Sequence, residues 1–509
     1  MSILAGKEHD QMQIRFAALL SFVVVVGAAI FIPARVGTMG WRPPDDTLRH
    51  TAKAISGKAW DDILVIRDNV TTDSHAGWHA ILGFLHHKMG IRKFGLVAFS
   101  IALCFFSIAI IPIFFLRRPE AWPLTISLLT CFSPHWVLRL FLGRPYLLTM
   151  TVFVAVCLSW ESFAERNKPW KAMLLLTAAI AVTTWIQPAS YLYGLPIVCF
   201  AIARQWRAVA RIAVCVVLGS ILGLLMTGHA AETIQRTFYV VLRSPTQTML
   251  SRMLVTELQP MRGSALHVFT IGAVLLLWRA VRGRWHKWVV DNPVFYIAIA
   301  GFVLGYYVGR FWLDWGLLAA LVWIVREIDE ILDEYLTFNS WRRFGLSAAI
   351  AGSFFLIVTS DVHSRWTFDI PRYPLVYEEA SDASKEWFPD SGGILYADDM
   401  GIFYRTFYNN PHAPWRYVLG FEPELMRPDD LSTYRNIQWT RRAKGSFQPW
   451  ISKMRPQDIL AITTSGKPRI DGLEWRHMTR GVWFGRVPPD SATDSMEIRG
   501  ESAKALPGG

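Results

Sequence analysis

Cysteine is scarce in this chain, and its placement rules out a covalent scaffold. The five cysteines, Cys104, Cys131, Cys157, Cys199 and Cys215, all fall inside apolar stretches. No disulfide framework or zinc spacing can be built from them, and they read as small buried hydrophobes. The chain also lacks a glycine-rich phosphate loop, a GxSxG elbow and any nucleic-acid-binding module. It has no internal repeat of consequence. The net charge of +12 sits in short connections between apolar runs, so it does not indicate a nucleic-acid partner.

What fills the chain instead is apolar and aromatic. Of 509 residues, 52% are hydrophobic and 23 are tryptophan, and the mean hydropathy is +0.27. A soluble protein has about 45–50% apolar residues and far less tryptophan. Apolar runs recur along about two thirds of the sequence, which predicts many membrane spans. The first run lacks a small-residue cleavage site and is read as a retained span, not a signal peptide.

Eleven spans are predicted, near 15–33, 94–116, 121–142, 146–163, 171–186, 190–203, 211–227, 265–280, 292–308, 311–326 and 344–360. Every second connection is rich in basic residues. These are Lys7 and Arg15; Arg117 and Arg118; Arg166, Lys168 and Lys171; Arg204, Arg207 and Arg211; Arg279, Arg282, Arg284 and Lys287; and Arg326, Arg342 and Arg343. The positive-inside rule puts these connections and the N-terminus in the cytoplasm. The opposite side then receives a first loop at 34–93, a basic loop at 228–264 and the C-terminal tail.

The predicted fold is therefore mainly α. A polytopic bundle at 1–360 carries amphipathic helices in its first outer loop, and a small α/β periplasmic domain occupies 361–498. Residues 499–509 read as a disordered tail. Within the first loop, "TLRHTAKAIS" reads as a short helix capped by Asp46, and "DSHAGWHAILGFLHHKMG" as a second capped at Asp73 or Ser74. Trp78, Ile81, Leu82, Leu85 and Met89 share an apolar face, with His75, His79 and His86 beside it. In the tail, "GGILYADD", "DILAITTS" and "GVWFGRVP" read as strands.

The candidate chemistry begins at "PDDTLRH", where Asp45 and Asp46 open the first outer loop. Capping explains one aspartate and leaves the pair unexplained. This arrangement of a span, an acidic pair, amphipathic helices, alternating spans and a soluble tail domain resembles the glycosyltransferase-C superfamily. The resemblance implies an integral membrane enzyme that takes a sugar from a polyprenyl-phosphate donor, with an acidic residue of the first outer loop at the reaction centre. Asp45 and Asp46 occupy that position. The acceptor would be a lipid-linked glycan, a lipid or a protein. Some branches of the superfamily use a divalent metal (Mg or Mn) and others do not, and the residues leave this open.

Inverting transfer to a hydroxyl needs a base for the acceptor proton and positive charge for the departing phosphate. Basic residues expected outside the cytoplasm are Arg144 in "LGRPYLL", Arg310 in "GRFWLDW", and Arg236, Arg243, Arg252 and Arg262 in the 228–264 loop. Arginine's planar fork suits phosphate, and Arg144 and Arg310 are preferred because tight loops hold them near span ends. His75 and His79 are candidate substrate contacts, although an interfacial polar stripe is the better account of them. Trp41, Trp312 and Trp315 could stack on a sugar, while most tryptophans read as belt residues. The "YADD" at 396–399 reads as a strand end and turn. Two other readings use the same features: a membrane polysaccharide polymerase or ligase with its chemistry in the later loop, and a flippase or transporter for lipid-linked glycans.

Overall fold

The computed structural model describes residues 2–67, 73–132, 136–165, 169–246, 259–261, 263, 265–283, 289, 291–335, 340–367, 375–479 and 481–488; side chains of 2–15, 239–246 and 340 are outside that description. The protein is mainly helical with one small sheet. Two compact units divide it. The first comprises Met1–Arg42, Ser74–Trp78 and Val97–Ile370; the second comprises Pro43–Asp73, His79–Leu96 and Pro371–Gly509. The two first-loop segments thus group with the C-terminal residues rather than with the long helices.

In the helical unit, five helices among the described residues are long and apolar enough to cross a membrane. They are Phe16–Thr38, Lys93–Phe115, Tyr146–Glu165, Trp206–Met226 and Trp341–Thr359. Five more apolar helices are shorter: Ala121–Phe132, Trp170–Ile186, Ser190–Ile202, Ala265–Val281 and Pro293–Gly305. At 1.5 Å per residue, a twelve-residue helix covers about 18 Å of a hydrocarbon layer about 30 Å thick. The stretch expected as a span at 121–142 is one of these, because its helix ends at Phe132 and a separate turn of helix follows at Leu138–Phe141. The stretch expected at 311–326 opens with a π-helical turn, Trp312–Gly316. It continues as Leu317–Tyr335, whose second half carries Arg326, Glu327, Asp329, Glu330 and Asp333.

Close approach fixes two contacts in this unit. The Trp206–Met226 helix packs on Trp170–Ile186, and a Cβ on Gly223 would lie 2.4 Å from the Ala181 carbonyl. A Cβ on Gly301 would lie 2.4 Å from the backbone of Gly316. Buried charges pair along the second half of Leu317–Tyr335 and at Arg118–Glu120. Arg118 donates to Glu120 at 2.7 Å and, through its backbone, to Asp329 at 2.7 Å. Arg343 lies 3.8 Å from Glu120, and Arg279 pairs with Glu327 and Glu330.

The second unit centres on a five-stranded sheet of order β2-β1-β3-β5-β4. Its strands are β1 (Ile394–Ala397), β2 (Arg416–Tyr417), β3 (Ile459–Thr463), β4 (Glu474–Thr479) and β5 (Val482–Arg486). β1 runs parallel to β2 and β3, while β5 is antiparallel to β3 and β4. The three strands read from sequence correspond to β1, β3 and β5. First-loop residues extend the β2 edge. Leu64 bridges Tyr417, Ile66 bridges Met426, and Val65 donates to the Tyr417 carbonyl at 2.8 Å. The Asp46–Ser56 helix packs on Met400–Asn409. It buries Thr47 to Ala52, Ala54 and Ile55, so it is a core helix and not one lying on a surface with one wet face. The sequence pattern could not show this, because the cover comes from residues 350 positions later.

Candidate functional site: an acid pair beside a histidine chain

Asp45 and Asp46 lie at the N-terminus of the Asp46–Ser56 helix, one residue from where capping chemistry predicted. Asp45, not Asp46, is the N-cap; it makes no side-chain capping bond, and its carbonyl accepts from Leu48 at 2.9 Å. Asp46 is the first helical residue, where an anion is favoured by the helix dipole. Its carboxylate accepts from Arg49 Nε at 2.7 Å and is 21% exposed. Arg49 is 3% exposed, and its guanidinium lies 3.9 Å from the centre of the Phe421 ring. Burial works against the Arg49 charge, but Asp46, Tyr404 and Glu422 outweigh it and raise its pKa. One turn on, Lys53 lies 5.5 Å from the Trp60 ring centre and donates to the Lys58 carbonyl. Burial pulls its pKa down against Asp73, Asp62 and Asp61.

His50 follows Arg49 and is buried at 1% exposure. Its Nδ1 lies 2.8 Å from Nε2 of His79. The opposite nitrogen of His79, Nδ1, bonds Asp73 Oδ2, and Trp60 Nε1 donates to Asp73 Oδ1 at 3.4 Å. Burial lowers the pKa of His79, reinforced by Lys53 and Arg49 and opposed by Asp73. A neutral His79 beside a carboxylate must donate from Nδ1, leaving Nε2 to accept from His50 Nδ1–H. The hydrogen-bond network therefore fixes both tautomers.

Several expected residues take other places. The helix expected to be capped at Asp73 or Ser74 begins at Ala76, and Asp73 serves His79 and Trp60 instead. His75 belongs to the helical unit, and its Nδ1 lies 3.0 Å from Ser74 Oγ. His86 donates to the Ile91 carbonyl at 2.9 Å. Among the described residues, no three metal-ligating side chains converge. Both ring nitrogens of His79 are engaged, so His79 as placed has no nitrogen left for a metal.

In the helical unit, Arg144 is half-buried just before the Tyr146–Glu165 helix, and its carbonyl accepts from Leu147 at 3.0 Å. Arg310 donates to Asp314 at 2.9 Å, and Arg139 lies 3.5 Å from the other oxygen of that carboxylate. Asp314 is thus a buried acid held between two arginines. The region expected as a basic loop at 228–264 contains the helix Ala230–Thr246, with Arg236 half-buried. The Arg243 side chain lies outside the described residues, as do Arg252 and Arg262. Trp41 packs against Phe141 and Trp366. Trp312 packs against Phe269 and Phe302, and Trp315 donates to the Leu192 carbonyl. All three are buried, a structural use rather than an open sugar platform.

Arg49, His50 and Lys53 were not singled out by sequence reasoning, and Asp73 was read only as a helix cap. The available signal was spacing: Asp46, Arg49, His50 and Lys53 recur at helical intervals along one face. No family model matches the chain, and no curated protein matches it.

Proposed function

We propose that the protein is an integral membrane glycosyltransferase that moves a sugar from a polyprenyl-phosphate donor to an acceptor outside the cytoplasm. In this reading the ten apolar helices and the apolar half of Leu317–Tyr335 make eleven spans in a bacterial inner membrane. The N-terminus and the Arg118–Arg279–Arg343 end of the bundle face the cytoplasm, and the sheet-containing unit is periplasmic. The observation that carries the reading is the acid pair itself. Two adjacent carboxylates stand at a helix start only seven residues beyond a 23-residue apolar helix, with a buried cation fixing one of them.

The reaction is an inverting displacement. The acceptor oxygen attacks the anomeric carbon, its O–H proton passes to a carboxylate, and the bond from that carbon to the phosphate oxygen breaks. Asp46, engaged by Arg49, orients the acceptor, and Asp45 takes the proton. Lys53 and Arg49 supply positive charge on the same helix. The acceptor is a lipid-linked glycan, a lipid or a protein.

Asp45→Asn and Asp46→Asn, each purified in detergent and returned to liposomes, test this with a lipid-phosphate sugar. Loss of a general base lowers turnover by about 10²–10⁴-fold. Asp45→Asn is expected in that range and Asp46→Asn at its lower end. Full transfer by both folded variants would end the proposal.

A further inference from the structure

Outside the acid pair, the best-built polar feature of the second unit is the chain Asp73···His79···His50. We propose that it is a proton relay serving the acid pair, an inference that rests on the glycosyltransferase reading. Four observations support it. The contacts are sequential, each donor nitrogen meeting one acceptor. The tautomers are fixed by the terminal carboxylate, as derived above. His50 lies at i+4 from Asp46 within one helix, and Cβ atoms at that spacing are about 5–6 Å apart, a gap one water can bridge. The chain also has a direction: His50 and His79 are buried, while the Asp73 side chain is 23% exposed.

The proton balance is simple. The acceptor hydroxyl loses its proton to the acid pair as its oxygen bonds the anomeric carbon. With donor and acceptor covering the pair, direct return of that proton to water is closed. It passes from Asp45 to the adjacent Asp46 carboxylate and from there to Nε2 of His50, the Nδ1 proton of His50 moves to Nε2 of His79, and the Nδ1 proton of His79 moves to Asp73. Asp73 releases it to solvent, and rotation or back-transfer restores the tautomers. The charged and titratable groups facing His79 are Asp73, His50, Lys53 and Arg49; those facing Arg49 are Asp46, Tyr404 and Glu422. The lowered pKa of His79 keeps it neutral and able to pass a proton without storing it. His79 and Asp73 act through His50 and are positioning residues.

The experiment uses the full chain in nanodiscs with ¹⁵N-labelled histidine. Signals among the 13 histidines are assigned with His50→Gln and His79→Gln. At pH 7, His79 is expected as the neutral Nδ1–H tautomer, titrating below an ordinary histidine, and Asp73→Asn should convert it to a tautomer mixture. A doubly protonated or Nε2–H His79 would overturn the relay whether or not the enzyme is active. In the transfer assay, Asp73→Asn and His79→Gln should lower kcat about 10–100-fold, the range for lost supporting contacts. The donor KM should change less than about 3-fold, and the acid limb of the kcat profile should move. Where His79→Gln fails to fold, Asp73→Asn, which keeps the shape and an acceptor oxygen, carries the test. Unchanged kcat and pH profile in folded Asp73→Asn would also overturn the relay. Absence of transfer by the unsubstituted protein would sink the glycosyltransferase reading instead, with the tautomers read separately.

Discussion

Two buried titratable groups of the second unit are placed so that their pH responses oppose each other. The folded pKa of His79 is lowered by burial. Below the ordinary histidine value of about 6.5 the unfolded chain therefore binds the extra proton first. Its contribution to stability is present above that pH and is lost as pH falls toward the folded value. Asp398, at the end of β1, is pushed up from 3.8 to about 6 by burial, against the pull of Arg442. Between those values the folded state holds the extra proton, so stability falls as pH rises through the window. A shift of this size corresponds to roughly 2–3 kcal/mol. Substituting either group should uncover the slope of the other. Between pH 4 and 6.5, His79→Gln should lose stability as pH rises, and Asp398→Asn should gain it. Hydrogen exchange at β1 and β3 in the full-length protein reads this locally, where whole-chain melting would mix the units. Parallel slopes in the two variants would contradict the assignment.

At the scale of elements, small residues decide which helices can meet. Gly219 and Gly223 are four apart on the Trp206–Met226 helix, and Cβ atoms there would lie 2.7 Å from the Thr177 carbonyl and 2.4 Å from that of Ala181. Apolar helices gain little from burial against one another in lipid, so close backbone approach through small residues carries their association. Gly223→Val must separate the pair, and overpacking of this kind costs about 1–3 kcal/mol. A lower melting temperature in detergent is expected, with a smaller drop for Gly223→Ala; a melting temperature unchanged by Gly223→Val would show that the contact is not close. The Asp46–Ser56 helix is shaped by different rules. Gly57 closes it in the left-handed region at φ 63°, with its N–H on the Lys53 carbonyl, so the chain turns away about two turns past His50 and leaves Lys53 beside Trp60.

At the scale of the whole molecule, the division into units is not the division of the chain. Residues 43–73 and 79–96 group with 371–509. They owe their order to partners such as Tyr417, Phe421 and Met426, which bridge Leu64, cover Arg49 and bridge Ile66. Ending the chain at residue 370 should therefore strip the cover from the Asp46–Ser56 helix. The expected result is rapid proteolysis within 43–73 in a protein whose long helices stay protected. A first loop as protease-resistant as in the full chain would show that it folds without the C-terminal residues.

Much of this was readable in advance, for identifiable reasons. Long apolar helices announce themselves by run length, as at Phe16–Thr38 and Trp206–Met226. Strands β1, β3 and β5 announce themselves by β-branched and aromatic runs between turns. β2, with two residues, has no periodicity to read, and β4 carries the polar pattern of an exposed edge. Asp45 and Asp46 stood out because adjacent acids rarely close a hydrophobic segment. The pairing of His50 with His79 did not, since 29 residues separate them and each looked like a local helix feature.

What the chain determined by itself is run length and local geometry: its apolar runs make helices long enough to cross a membrane, and spacing puts Asp46, Arg49, His50 and Lys53 on one helical face. Only the tertiary structure decided that this face is buried, that His79 completes it, and that Arg139 joins Arg310 on Asp314. The reason is that desolvation, tautomer and ion pairing depend on which distant residues exclude water from a group, and sequence spacing carries no information about them.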